Sequence, residues 1–229
     1  MTRTLLLSLL LLPGCVRSLH PIYTDETVVY DPAFLGTWVD SKGETRIEVS
    51  PWSGNDEPTA TKTYLVVHTD KDGKRATLGA VLAKVGDMLV ADLTIGEEGL
   101  PENDLYKAHV MPLHTFWIVS RGPDDDKPAG KPTMSIRTID HEWMKTFLES
   151  KPNDLAHYKS DSDMLLTATP PELQKFLIAH AADEGMLSDA EVFRRIKPFA
   201  APATAPTAPN PAPPTTAPTV PTSPPATGK

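Results

Sequence analysis

Cysteine is almost absent from this chain of 229 residues, and its one cysteine, Cys15, lies close to the N-terminus. Disulfides, the usual support of small exported domains, are therefore excluded within one copy of the chain. No apolar run approaches the roughly 20 residues that a membrane-spanning helix needs. A single domain of about 150 residues, which a chain of this length can contain, buries roughly 70% of the surface of its unfolded chain and can be stable without disulfides.

Sequence motifs that would identify a catalysed reaction are also missing. The chain has no Gly-x-Ser-x-Gly elbow and no glycine-rich phosphate loop, and Lys145 stands four residues after His141 where the zinc-protease motif needs a second histidine. Five histidines lack the spacing of metal ligands. They are His109, His114, His141, His157 and His180. We therefore predict no catalytic residue, no cofactor and no metal site, and a hydrolase without a recognisable motif is the most distant alternative.

Positive charge is in deficit. The formal net charge is −8 at pH 7, from 22 Lys and Arg against 30 Asp and Glu. Nucleic acids and anionic membrane surfaces attract basic patches. The acidic balance therefore argues against a nucleic-acid partner and against electrostatic adsorption to a membrane.

The first fifteen residues have the organisation of an export signal. Arg3 supplies a positive charge, residues 5–12 form a short apolar run, and the small residue Gly14 precedes Cys15. The end of this segment, Leu12-Pro13-Gly14-Cys15, resembles the lipobox of bacterial lipoproteins, with proline where Ala or Ser is more usual.

This resemblance implies cleavage between Gly14 and Cys15 and a diacylglyceryl thioether on Cys15. Two acyl chains hold a protein on a bilayer far more firmly than one. Arg17 is not the aspartate that often retains lipoproteins at the inner membrane. The resemblance thus implies a cell-envelope protein whose partner is the membrane, through acylated Cys15, at the outer membrane rather than the inner one.

Proline is concentrated at the other end of the chain. Residues 198–229 contain 11 of the 24 prolines and no charged side chain before Lys229. The alternation of Ala, Pro and Thr favours polyproline II and offers too little apolar surface to offset chain entropy. We predict a disordered tail, which could span the periplasm, contact a cell-wall or other envelope partner, carry O-glycans, or have no dedicated partner.

Residues 34–197 carry the patterns of one globular domain, and residues 15–33, which lack a clear period, are predicted to be a lipidated tether that packs late. Strand patterns occupy residues 34–39, 45–49, 63–69, 78–84, 88–94, 105–119, 133–139 and 164–168. Gly86-Asp87 between two apolar runs predicts a type II′ hairpin, and residues 70–73 predict a second hairpin.

Helix signals are confined to the last third of the domain. Asp140 predicts the N-cap of a helix through about Glu149. Thr169-Pro170-Pro171-Glu172 is a capping box that predicts a second helix, with His180 as a packing residue on its apolar side. Residues 188–191 predict the start of a third short helix, which would hold Val192, Phe193 and Ile196.

Strands first and helices last predict an α+β fold with an antiparallel sheet followed by C-terminal helices. Seven or eight strands in a domain of this size favour a β-barrel or a strongly bent sheet. Leu35-Gly36-Thr37-Trp38 resembles the Gly-x-Trp start of lipocalins, in which the tryptophan lies at the barrel floor. That resemblance implies a lipocalin-like barrel with a small apolar ligand inside it, although lipocalins have a single helix.

The sequence leaves two functions open for the anchored protein. It could be a binding or scaffold module, or an envelope-structural or assembly protein that works through its proline-rich tail. An open apolar cavity would favour ligand binding inside the barrel, whereas a filled interior leaves only surfaces for recognition. No residue pattern identifies the ligand.

Overall fold

The structure, a computed structural model, describes residues 15–52, 62–96, 103–122, 132–160 and 163–199. None of its helices is long and apolar enough to cross a membrane. The elements in chain order are β1 (Arg17–Ser18), β2 (Val28–Val29), a 3-10 helix (Pro32–Phe34), β3 (Gly36–Asp40), β4 (Arg46–Pro51), β5 (Thr63–Thr69), β6 (Arg75–Val85), β7 (Met88–Ile95), α1 (Asp104–Lys107), β8 (Thr115–Gly122), β9 (Thr133–Thr138), α2 (His141–Ser150), β10 (His157–Lys159), β11 (Met164–Leu166), α3 (Pro170–His180) and β12 (Glu191–Pro198).

Eight antiparallel strands close into a barrel. Each strand from β3 to β9 pairs with the next one in the chain, and β12 pairs with both β9 and β3. Closure of this kind protects strand edges from pairing with other chains. The predicted α+β class and antiparallel barrel are confirmed.

Both predicted hairpins are confirmed. β6 and β7 are joined by the two residues Gly86 and Asp87, and only Gly86 has a positive φ, of 58°. A positive φ at the first central position alone is the mark of a type II′ turn, which suits the twist of paired strands. In the second hairpin, Asp70 accepts hydrogen bonds from the backbone N–H groups of Asp72 and Lys74, each at 2.9 Å.

Alternation along the strands separates two hydrophobic cores. On β7, Leu93 belongs to the barrel interior, whereas Val90 belongs to the core between the barrel wall and the helices. The outer core also includes buried side chains from α2, α3 and the N-terminal segment, among them Met144, Leu177 and Ile22. One side of the barrel is therefore covered by a second layer.

The last predicted helix is wrong, because residues 191–198 form the strand that closes the barrel. Ser188, predicted to begin the helix, instead bonds to β9, with its N–H donating to the carbonyl of Thr138 at 2.8 Å. Phe193 is buried and Val192 is 45% exposed, which is the alternation of a strand. The strand also runs into the predicted tail, since it includes Pro198 and is followed by Phe199, which packs on the interior core.

The other two predicted helices are present, but they lie between the seventh and eighth barrel strands and not after the sheet. Asp140 caps α2 by accepting the N–H of Trp143 at 2.8 Å. At the start of α3, the Glu172 carboxylate accepts the backbone N–H and the hydroxyl of Thr169, both at 2.8 Å. His180 packs on the ring of Phe147, with 4.7 Å between centroids, and bonds to Asp183, as predicted for a packing histidine.

The segment predicted to be a tether belongs to the folded domain. Val16 and Ile22 are 5% and 1% exposed, and both lie in the outer core. β1 pairs in parallel with β11, and β2 extends the edge of β6 beyond β5. The domain therefore starts at Val16 and not near residue 34, because the barrel wall offers this segment an apolar surface to cover.

Residues 105–119, predicted to be one strand, are divided. Asn103 accepts the N–H of Leu105 at 3.0 Å and starts the single turn α1, and β8 begins only at Thr115. Pro112 stands between the two elements, and proline cannot donate a ladder hydrogen bond.

Candidate functional site

The predicted anchor residue lies at the first described position. Cys15 is exposed, and it directly precedes the buried Val16. Gly14 and the rest of the predicted signal lie outside the described residues. An acyl chain on Cys15 would thus be joined to the folded domain with no intervening linker.

The interior of the barrel holds a cavity of only about 40 Å³. Small-molecule sites usually have volumes of about 300–1,000 Å³. The side chains that fill the interior are apolar or aromatic, and they include Phe34, Ile47, Tyr64, Leu93 and Met134. The interior is a packed core, and a ligand of ordinary size does not fit inside it.

Trp38 contributes to this filling. It is fully buried, its indole N–H donates to the carbonyl of Phe34 at 2.8 Å, and the Arg195 guanidinium lies 5.4 Å from its ring centre. Gly36 has a φ of 131°, and a Cβ there would lie 2.5 Å from the carbonyl oxygen of Lys197. A glycine is thus needed at this position of the Gly-x-Trp motif, because the backbone of β12 lies too close to β3 there for a side chain.

A larger cleft of about 300 Å³ lies on the outside of the barrel, and we name it the outer cleft. Strands β6 and β7 form its floor with Gly79, Val81, Asp92 and Thr94, and other described segments form its walls. Its lining residues are Tyr23, Trp52, Thr63, Gly79, Ala80, Val81, Asp92, Thr94, Ile95, Gly96 and His114.

A buried Asp–His pair forms the polar centre of the outer cleft. The Asp92 side chain is 1% exposed, and its Oδ1 lies 2.6 Å from Nδ1 of His114, whose side chain is 14% exposed. The other carboxylate oxygen, Oδ2, accepts the backbone N–H of Ile22 at 2.7 Å. Alternation on β7 turns Asp92 to the outer face, where the N-terminal segment covers it.

Burial dominates the electrostatics of this centre. It raises the pKa of Asp92, and the hydrogen bonds from His114 and Ile22 oppose that rise. The pKa of Tyr23 is raised by burial first and then by the negative charges of Asp92 and Asp25. Both shifts have the direction expected where a charge is removed from water.

Hydrogen bonds fix the backbone of both His114 and Ile22, the two residues that bond to Asp92. His114 and Ser18 exchange two backbone hydrogen bonds of 2.9 Å. The carbonyl of Ile22 accepts the side-chain amide of Gln174 on α3 at 2.7 Å. The N-terminal segment is therefore fixed between the barrel and α3, which fixes the position of Tyr23 at the cleft.

Thr94 adds a second polar group to the floor. Its hydroxyl oxygen is buried and, among the described residues, has no hydrogen-bond partner. An unpaired buried hydroxyl costs about 1–3 kcal/mol, so a partner supplied from outside would recover free energy. The ring of Trp52 lies beside this floor, 3.9 Å from where a Cβ on Gly79 would stand.

From the sequence, His114 was a candidate only for metal binding, and Asp92 was not predicted as a site residue. The available signal was a carboxylate inside the apolar run of β7, since Asp92 stands between Ala91 and Leu93. Its partner Ile22 is 70 residues away in the chain, and no local pattern connects the two. The structure does not bring the other histidines to this cleft, whose lining contains only His114.

A smaller polar cavity of about 230 Å³ lies beside α2, with His141, Lys145, His157, Lys159 and Asp163 in its lining. Its charged groups are already paired within the protein, Lys159 with Glu149 and Asp163 with Arg17. The buried Nδ1 of His141 in this cavity also has no hydrogen-bond partner among the described residues. The outer cleft differs from it in the aromatic side chains of its lining, Tyr23 and Trp52.

No family model, no curated protein sequence and no solved structure matches this chain.

Proposed function

We propose that this protein is a lipid-anchored binding module of the cell envelope that takes a small ligand in the outer cleft. The observation that carries the proposal is the buried Asp92–His114 pair in the floor of a 300 Å³ cleft. Binding sites characteristically combine apolar walls with a few convergent polar groups, some of them with shifted pKa values. The outer cleft has this composition.

The anchoring half of the proposal rests on the lipobox at Leu12-Pro13-Gly14-Cys15 and on the position of Cys15. Cys15 is exposed although the next residue, Val16, is buried, so its sulfur is accessible in the folded domain. Position 17 holds arginine and not the aspartate that often retains lipoproteins at the inner membrane, which favours the outer membrane.

We do not propose that the ligand binds inside the barrel, as the resemblance to lipocalins implied. The up-and-down order of eight strands and the Trp38 position agree with a lipocalin-like barrel, but the two helices precede the closing strand. The interior cavity of about 40 Å³ is too small for the apolar ligand that the resemblance implied. We therefore assign recognition to the outer surface of the barrel.

The alternative function, assembly of envelope components through the proline-rich tail, depends on residues 200–229, which lie outside the described residues. No observation on the described residues favours it over ligand binding.

Anchoring is tested by growing cells with an alkyne-labelled palmitate and comparing the parent protein with Cys15→Ser. We expect label on the parent and none on the variant, because the thioether needs the sulfur of Cys15. Acyl label on the variant would contradict the anchoring proposal.

Cleft binding is tested by a fragment screen followed by amide and methyl NMR of the purified protein. We expect bound fragments to shift the signals of Thr94, Ile95 and Trp52. Fragments that shift only interior residues such as Leu93 and Met134, or the absence of any bound fragment, would contradict it.

A further inference from the structure

We infer that the ligand of the outer cleft is a saccharide without negative charge, bound by one ring face to aromatic side chains and by its hydroxyls to Asp92 and Thr94. This inference rests on the proposed function, since it assumes that the outer cleft binds a ligand. It follows from the charge, the hydrogen-bonding groups and the ring surfaces of the lining.

The charge of the described lining disfavours anions. Its described residues include the carboxylate of Asp92, with His114 hydrogen-bonded to it, and none of them is a lysine or arginine. Next to a buried carboxylate, a phosphate or carboxylate on the ligand would lose its hydration and meet a like charge at short range. A neutral or cationic ligand avoids this cost.

The polar groups of the floor call for a ligand with several hydroxyls. Each oxygen of Asp92 accepts one hydrogen bond from the protein, while an ionised carboxylate has about four acceptor sites. The buried hydroxyl of Thr94 can both donate and accept. A neighbouring pair of ligand hydroxyls can donate to Asp92 and also accept a hydrogen bond from the Thr94 hydroxyl, whereas an ammonium group can only donate.

Two half-buried aromatic residues complete the lining. Trp52 and Tyr23 both line the outer cleft, and each carries a ring with an apolar face and a polar tip. A pyranose ring has an apolar face of C–H groups and a rim of hydroxyls. It can therefore cover an aromatic surface while its rim reaches the carboxylate, whereas an acyclic polyamine has no ring face to stack.

The experiment uses the purified full-length protein in a detergent without a sugar headgroup, with binding measured by saturation-transfer NMR. The probes are neutral hexoses and N-acetylhexosamines, the matched set glucose, glucosamine and glucuronate, and acyclic putrescine. We expect at least one neutral sugar to bind, and glucuronate and putrescine to bind at least about tenfold more weakly.

Paired variants locate the binding. Thr94→Val and Trp52→Ala should weaken sugar binding at least about tenfold, because one loses the hydroxyl and the other the ring. Thr94→Ser and Trp52→Tyr keep those groups and should stay within about threefold of the parent. Thr69→Val, on the outer face of β5 away from the cleft, is the matched control and should bind as the parent does.

The outcomes separate this inference from the proposed function. If putrescine or glucuronate binds more tightly than every neutral sugar, and Trp52→Ala abolishes that binding, the saccharide inference is wrong while the cleft remains a ligand site. If no probe binds, or if Thr94→Val and Trp52→Ala leave binding unchanged, both are wrong.

Discussion

The side chain of Tyr64 lies in the barrel interior and ties β5 to the segment before β3. Its hydroxyl accepts the backbone N–H of Asp31 at 2.7 Å, and its ring stacks on Tyr30 with centroids 4.9 Å apart. Burial raises its pKa to about 12, and the negative charges of Tyr30 and Asp31 add to the rise.

Tyr64 should therefore ionise well above the ordinary tyrosine pKa of about 10. A tyrosine whose pKa is raised on folding contributes stability below its unfolded pKa of about 10, and that contribution is lost as the pH rises through about 12. In an ultraviolet titration of the five tyrosines, we expect a late phase near pH 12 that Tyr64→Phe removes. A titration in which Tyr64→Phe removes signal near pH 10 instead would show that the hydroxyl is solvated.

Single residues also show where sequence reasoning succeeded and where it could not. Trp38 and the turn at Gly86 were predicted because their signals are local: a motif of three residues and a two-residue loop. Asp92 was missed because its environment is made by Ile22 and His114, which reach it only through the fold. A single buried carboxylate on the outer face of a barrel produces no periodic pattern in the sequence.

Among the secondary-structure elements, β12 was predicted wrongly, as a helix. A serine and two acidic residues before an apolar stretch favour a short helix, and Val192, Phe193 and Ile196 fit a helical face as well as a strand. Pairing with β3 and β9 decides between them, because the barrel needs an eighth strand to close. Strands β5 to β7 were easier to predict, because the loops that join them, residues 70–74 and Gly86-Asp87, are short turns with local sequence signals.

Alternation in β12 leads to a paired prediction. Phe193→Ala should lower the free energy of unfolding by about 3–5 kcal/mol, because its ring is buried in the barrel interior. Val192→Ala should change it by about 0.5 kcal/mol or less, because that side chain is 45% exposed. Chemical denaturation of both variants measures the difference, and equal costs at the two positions would contradict the strand.

Over the chain as a whole, one short segment joins the proposed anchor residue to the outer cleft. The chain runs from exposed Cys15 through β1 to Ile22, which bonds to Asp92, and to Tyr23 in the cleft wall. The proposed anchor therefore holds the cleft at a fixed distance from the bilayer, where a free tether of residues 15–33 would have left that distance variable.

The end of the domain is also defined at this scale, and matched truncations test it. Deleting residues 200–229 should leave the melting temperature unchanged within about 1 °C, because that sequence offers little apolar surface to pack. Deleting residues 198–229 should lower it by about 2–4 °C, because partly buried Phe199 packs on the interior core and its removal costs about 1 kcal/mol.

Phe199→Ala in the full-length chain is the control, since it removes the ring without creating a new terminal carboxylate, and it should reproduce most of the loss. Scanning calorimetry of the three proteins beside the parent measures the shifts. A fall of several degrees on deleting residues 200–229 alone would show that the proline-rich segment packs on the barrel. Equal melting temperatures for the two truncations would instead place the end of the domain before Pro198, which would contradict the packing of Phe199 beside Gly36.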